Sequence, residues 1–116
     1  MEQKKSPCQF AIPLFLNDGS EVAPEITVDI LAALDRQFEG YTVIGVRDGC
    51  WQGQREPSMW IEVSVELGRV PELREVVFSI GKRLGQKAMY LNVPPPTVEI
   101  IQIEDVPEQQ PMASKV

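Results

Sequence analysis

The chain has 116 residues, of which 43% are hydrophobic and 7% aromatic, so it is long enough for one domain core and too short for two ordinary domains. Its 17 acidic and 11 basic residues give a net charge of −6, and because nucleic-acid affinity rests on basic side chains, we expect no nucleic-acid partner. Apolar runs are only a few residues long, as at residues 76–78, so we expect no membrane-spanning segment and no membrane partner.

The two cysteines, Cys8 and Cys50, share no CxxC spacing. The residues before Cys8 carry no apolar run of the kind found in signal peptides. We therefore expect a reduced, cytoplasmic protein, and the alternative is a secreted protein with one disulfide.

The N-terminal part predicts one strand. Residues 1–8 are expected to form a flexible N-terminus, because they are polar. Residues 9–16 are dense in apolar side chains and are followed by turn residues at 17–20, which predicts the first strand. Since Pro13 cannot donate a ladder hydrogen bond, the strand is expected to start at Pro13 or to accommodate it at an edge or a bulge.

The next segment changes to helical periodicity. Apolar residues recur at helical spacing from Pro24, which suits a first helical turn, and Gly40 suits the position just past a helix end. These signals predict the first helix over residues 24–39. Residues 41–46 are rich in β-branched side chains and are closed by a turn, which predicts the second strand.

The third strand has the clearest pattern in the chain. Residues 59–67 alternate between apolar and polar side chains, which is typical of a half-buried antiparallel strand. Val70 and Pro71 then open a second helix, whose apolar stripe runs through residues 73–84 and which Gly85 ends.

Two short strand candidates follow, at residues 88–93 and 97–103, separated by three prolines that cannot lie inside a sheet ladder. The second candidate is expected to add an edge strand or to pair with another subunit. Residues 104–116 lack apolar periodicity and predict a disordered acidic tail. The order of elements predicts a single α+β domain over residues 9–103, a ferredoxin-like βαββαβ sandwich with an additional C-terminal strand.

Histidine is absent, which removes Ser–His and Cys–His nucleophile pairs and His-ligated zinc. No Walker loop, GxGxxG motif or EF-hand loop is present in the sequence. We therefore expect no catalytic residue, no metal site and no cofactor. Whether the protein is an enzyme stays open, and a non-catalytic role is favoured.

The connection between the second and third strands, residues 47–58, is long for a hairpin and is expected either to protrude or to fold as extended hairpin arms. One hypothesis makes it a ligand pocket with Trp51 as an aromatic wall, Arg55 as an anion anchor, and Glu56 and Ser58 beside them. In the alternative, Trp51 packs over the sheet end, Arg55 and Glu56 are solvated, and Ser58 caps a turn.

Trp60 lies on the polar side of its strand, on the sheet face that a ferredoxin-like fold leaves without helices. Large aromatic side chains on such a face are enriched at interfaces, so we favour a contact with another subunit, in a dimer or a trimer. A small-molecule ligand over Trp60 is the second interpretation. In the third, Trp60 packs on Tyr41 or Val43 across the strands.

Several short segments carry a resemblance to known proteins, at residues 38–43, 49–51, 55–58 and 85–86. In these segments the chain resembles an uncharacterised family of small bacterial domains of unknown function. At the level of the fold, the hairpin with a Trp and a Gly near its tip is also similar to the trimeric divalent-cation-tolerance and nitrogen-regulatory PII-like proteins. The likeness to the uncharacterised family carries no activity that could be transferred to this chain. From the position of Trp60 we expect an oligomeric binding or structural module without catalytic activity, and the alternative function is a small enzyme or ligand sensor with its pocket at residues 47–58.

Overall fold

The computed structural model describes residues 3–104, which form two α-helices and six β-strands. The elements in chain order are β1 (Ser6–Pro13), α1 (Pro24–Phe38), β2 (Thr42–Arg47), β3 (Cys50–Trp51), β4 (Gln54–Arg55), β5 (Ser58–Val65), a 3-10 turn (Leu67–Arg69), α2 (Val70–Arg83) and β6 (Leu91–Asn92).

Four strands form one antiparallel sheet in the order β2-β5-β1-β6. The two central strands, β1 and β5, pair over their whole length, from Ser6 opposite Val65 to Pro13 opposite Ser58. The helices follow the central strands in sequence, and together with the sheet order this is the arrangement of a ferredoxin-like βαββαβ fold. The predicted fold class is confirmed.

Alternate residues of the central strands are buried under the helices, while their neighbours lie on the other sheet face, which we call the open face. The fully buried side chains include Phe10 and Ile61 from the strands and Leu34 and Leu73 from the helices. Each such burial stabilises the fold by about 1.5–3 kcal/mol relative to an exposed side chain. The core thus lies between the helices and one face of the sheet.

The first strand begins earlier than expected. Residues up to position 8 were expected to be flexible, but β1 starts at Ser6, because Ser6 and Cys8 continue the buried alternation and are both fully buried. Pro13 is the last residue of β1 and not its first, so the missing N–H of the proline falls at the end of the ladder.

The helices lie close to their predicted bounds. Pro24 is at the start of α1, and the helix ends at Phe38 because Glu39 takes the left-handed conformation with a φ of 66°. α2 starts with Val70 and Pro71 and ends at Arg83, two residues before Gly85, whose φ is 64°. Within the residues that the structure describes, no helix is long and apolar enough to cross a membrane.

The C-terminal strands are shorter than expected. The first candidate contributes only β6, and the additional strand at residues 97–103 is reduced to one bridge, in which Lys5 and Val98 exchange backbone hydrogen bonds of 2.8 and 2.9 Å. β1 begins one residue after Lys5, so within residues 3–104 no strand lies beside residues 99–104 for them to pair with. Ile101 and Ile103 are consequently 72% exposed. Residues 105–116 of the predicted tail lie outside the described residues.

Candidate functional site

The long connection between β2 and β5 is an extended hairpin arm, one of the two forms expected. Gly49 and Glu56 exchange both backbone hydrogen bonds, at 3.2 and 2.8 Å, and β3 and β4 continue the same register to Trp51 opposite Gln54. Gln52 and Gly53 close the arm with φ values of 49° and 80°. Positive φ at both central residues is the requirement of a type I′ turn, which suits the twist of a hairpin.

The register decides which arm side chains share a face, because residues opposite each other in a ladder project to the same side. Trp51, Glu56 and Ser58 lie on the face that also carries Arg47, which is opposite Ser58. This face continues the open face of the main sheet. Three of the four candidate ligand residues are therefore brought onto one side of the arm.

Arg55, the fourth candidate, lies on the other side of the arm. It is opposite Cys50, and its Nη2 atom is 3.4 Å from Oδ2 of Asp48, with both side chains at least 70% exposed. Such an exposed ion pair contributes little to stability. Arg55 therefore does not face Trp51. Arg47 does share a face with Trp51, although the sequence did not single it out as a candidate ligand residue. A ligand-binding role of the arm stays a prediction.

Trp60 lies in the middle of the open face, between the two smallest side chains of its neighbouring strands. It is opposite Ala11 on β1 and opposite Gly45 on β2. Gly45 reaches this position because the register shifts by one residue between Val43 and Gly45, and its φ of 143° is a conformation that favours glycine. The two small neighbours leave room for the indole ring to lie over the sheet.

Two side chains from other strands contact the Trp60 ring. Tyr90 meets it edge to face, with ring centres 4.9 Å apart and planes at 66°, and the guanidinium carbon of Arg47 lies 5.5 Å from the ring centre. The aromatic pair contributes about 0.5–1.5 kcal/mol and the cation–π contact about 0.5–1 kcal/mol. We call Arg47, Trp60, Ala11 and Tyr90 the Trp60 strip.

The partners of Trp60 differ from those expected. Packing on Tyr41 or Val43 was one interpretation, but Val43 is opposite Ile61 and so shares the face of that buried residue, while Tyr41 precedes β2. Tyr90 was missed because its position beside Ala11 depends on β6, where the next residue, Leu91, is opposite Phe10. The only sequence signal for Tyr90 was an aromatic residue within the short strand candidate at residues 88–93.

A row of polar side chains borders the Trp60 strip. Nε2 of Gln9 donates a hydrogen bond of 3.1 Å to Oε1 of Glu62, and both side chains are half-buried. Thr42 is opposite Glu62 and Asn92 is opposite Gln9, so this row crosses all four strands. Aromatic, guanidinium and amide groups side by side can contact a second surface through both apolar and hydrogen-bonding groups.

Three other kinds of site were considered for the described residues: a metal site, a reactive thiol and a cavity. Between positions 3 and 104, no three Cys, Asp or Glu side chains converge closely enough to hold a metal ion. Cys50 is exposed on the arm, on the side away from Trp51. A cavity of about 430 Å³ opens between α1 and α2, across the sheet from the open face, and none of the four arm candidates lines it.

Comparison with known proteins gives one informative likeness. No protein-family model and no curated protein sequence matches the chain. Among solved structures, it is similar to the divalent cation tolerance protein (Cut A1) from Thermus thermophilus, with a TM-score of 0.56 and 14% sequence identity over 78% of this chain and 82% of that one. This likeness shows the fold alone, in agreement with the fold-level resemblance of the sequence.

Proposed function

We propose that this protein is a non-catalytic module that binds further copies of itself through the Trp60 strip of the open face. The observation that carries the proposal is the ordered Arg47–Trp60–Tyr90 cluster, with Tyr90 55% exposed, on a face that neither α1 nor α2 covers. The fold-level resemblance of the sequence to trimeric PII-like proteins supports an oligomeric state.

The composition of the strip supports self-association. Trp, Tyr and Arg are the residue types most enriched at the centres of protein interfaces, where a few of them supply most of the binding free energy. Trp60 is already held by Tyr90 and Arg47 within one chain. Association through a pre-ordered cluster costs less side-chain entropy than association through mobile side chains.

Unpaired strand edges support a further contact between copies. β2 is an edge strand with Val43 and Val46 exposed, and residues 99–104 carry exposed isoleucines that no strand of the described part of the chain neighbours. Exposed apolar edges of this kind pair readily with another chain. Because β2 ends in Arg47 while residues 99–104 carry Glu99 and Glu104, the two edges also have opposite charges. A contact between two such unlike surfaces is head to tail, and it forms a ring when the rotation from one copy to the next closes.

A cytoplasmic location belongs to the proposal. Cys8 is buried in the central sheet and Cys50 is exposed on the arm, and both are free. Two free thiols suit a reducing compartment, where disulfides do not persist.

Size-exclusion chromatography with light scattering tests the proposal directly. We expect the wild-type protein to be a dimer or trimer at micromolar concentration. Tyr90→Glu is expected to weaken the association by about tenfold or more, because it places a charge at the centre of the contact. The matched control is Phe78→Glu, which changes an aromatic residue of similar exposure, 61%, on α2 away from the open face, and is expected to leave the mass unchanged.

Two outcomes would count against the proposal. A wild-type protein that is monomeric at all concentrations removes its basis. Equal dissociation in the Tyr90→Glu and Phe78→Glu variants would show that charge alone, and not the Trp60 strip, governs the mass. An additional Ile101→Asp variant separates the two contacts, since it alters residues 99–104 and leaves the strip intact.

A further inference from the structure

The cavity between α1 and α2, which we call the helix groove, is lined by Ile30, Ala33 and Gln37 from α1 and by Glu75, Val76 and Ile80 from α2, among others. Its volume is about 430 Å³. Cavities of roughly 300–1,000 Å³ are typical of small-molecule sites. The groove lies on the opposite side of the sheet from the Trp60 strip, so it is independent of self-association through that strip.

At each end of the helix groove an arginine bridges the two helices. At one end, Nη2 of Arg83 on α2 is 3.1 Å from Oδ2 of Asp29 on α1. At the other end, Nη2 of Arg69 donates to the carbonyl oxygen of Gln37 at 2.7 Å, and Nε of Arg69 donates to Oε2 of Glu72 at 2.9 Å. A docked helix needs a groove that is open along its axis. The two bridges across the ends therefore favour a compact small molecule over a helix of a partner protein.

The floor of the groove is apolar. Ile30 and Ile80 are only 4% and 6% exposed, and Ala33 and Val76 are half-buried beside them. An apolar group placed there would be removed from water at about 25 cal/mol for each Å² that it buries. The ligand that fits must therefore carry an apolar body.

The charges around the groove favour a cation. Asp29 and Glu72 are already paired with the two arginines at the ends. Glu75 lies between them along the groove and has no ion-pair partner among residues 3–104. The net charge of −6 adds a negative potential that attracts cations and repels anions.

We propose that the helix groove is a binding site for a small organic cation with an apolar body, which Ile30, Ala33, Val76 and Ile80 enclose while the carboxylate of Glu75 pairs with its charged group. The two arginine bridges connect the helices at the ends of the groove and limit the length of the ligand.

The experiment uses n-octylammonium chloride as the probe, with n-octanol and sodium octanoate as neutral and anionic probes of matched length. Binding to the full chain is followed by amide chemical shifts in nuclear magnetic resonance spectra. We expect n-octylammonium to give saturable shifts at Ala33, Val76 and Ile80, n-octanol to bind more weakly, and octanoate to give no shifts there.

Two variants of Glu75 test the role of its carboxylate. Glu75→Gln is expected to weaken n-octylammonium binding by about threefold, the usual effect of a partly exposed ion pair. Glu75→Lys is expected to reverse the preference, so that octanoate binds and n-octylammonium does not. Asp35 on α1 is an exposed carboxylate outside the groove, so Asp35→Asn and Asp35→Lys are the matched controls and are expected to retain wild-type affinity.

Several results would overturn the proposal. Absence of saturable shifts in the groove removes the site, and equal binding of octanoate to the wild-type protein removes the preference for cations. An equal loss in the Asp35 variants would assign the effect to the net charge and not to Glu75. A change in tryptophan emission on titration would place the probe at the open face, because both tryptophans, Trp51 and Trp60, lie away from the groove. The oligomeric mass of the Glu75 variants reports separately on self-association.

Discussion

Gly81 is the position where the structure predicts an effect opposite to the usual one. In an exposed helix, Gly→Ala stabilises a protein by about 1 kcal/mol, because alanine loses less backbone entropy. Gly81 is buried in α2, and a Cβ atom there would lie 2.7 Å from Cγ and 3.6 Å from Sδ of Met89. Carbon atoms normally approach to about 3.5–4.0 Å, so Met89 would have to move by roughly 1 Å.

The expected change in the free energy of unfolding on Gly81→Ala is the sum of two opposing contributions. Overpacking of a well-packed site costs about 1–3 kcal/mol, and the gain in helix propensity offsets about 1 kcal/mol of it. We therefore expect Gly81→Ala to lower the free energy of unfolding by about 1 kcal/mol, measured by urea unfolding followed by circular dichroism. Because Tyr90 follows Met89 in sequence, the same variant is expected to change the emission of Trp60, which Tyr90 contacts.

A double-mutant cycle with Met89→Ala gives the sharpest test. With the Met89 side chain removed, Gly81→Ala is expected to stabilise the protein by about 1 kcal/mol, so the interaction energy between the two positions is about 2 kcal/mol. Gly68→Ala is the matched control, since a Cβ atom at Gly68 meets nothing within 4 Å. If Gly81→Ala stabilises the wild-type protein, or has the same effect in both backgrounds, the contact with Met89 does not determine its effect.

Two further predictions concern polar groups. The buried Ser6 hydroxyl donates to the carbonyl oxygen of Pro94, so Ser6→Ala is expected to lower the free energy of unfolding, measured in urea, by about 1 kcal/mol. The exposed control Ser79→Ala is expected to change it by less than about 0.5 kcal/mol. Equal effects of the two variants would refute the role of this hydrogen bond. The Ser20 hydroxyl and the Ser20 N–H both donate to Asp18, which lowers the pKa of Asp18 below its usual 3.8. The contribution of this turn to the stability of the folded protein is therefore present above the pKa of Asp18 in the unfolded chain and is lost as pH falls through its lower pKa in the folded protein. Ser20→Ala is expected to raise the pKa of Asp18 in a carboxyl titration, and an unchanged pKa would contradict this account.

Local patterns in the sequence predicted most of the fold. The apolar spacing of α1 and α2 and the alternation of β5 are properties of single segments, and the observed bounds lie within a few residues of those expected. The order of the elements then left the ferredoxin-like sandwich as the arrangement that buries each apolar face. The N-terminal part of β1 was missed because Ser6 and Cys8 are small residues that do not stand out as apolar, although both are fully buried.

The site depended much more on pairing between distant segments. The alternation of β5 alone predicted that Trp60 lies on the polar side of the strand, and the structure places Trp60 on the open face. Its neighbours did not follow from any one segment: Gly45 lies opposite it only because of the register shift in β2, and Tyr90 reaches it only across Ala11 of β1.

The sequence by itself therefore determined the two helices, the central strand β5, the fold class and the sheet face of Trp60, because hydrophobic periodicity is a local property that each segment carries alone. Only the tertiary structure decided that Arg47, and not Arg55, shares that face with Trp51. It also decided that α1 and α2 form a groove with an arginine bridge at each end. Register and helix separation are set by contacts between residues far apart in the chain, and the periodicity of one segment contains no information about them.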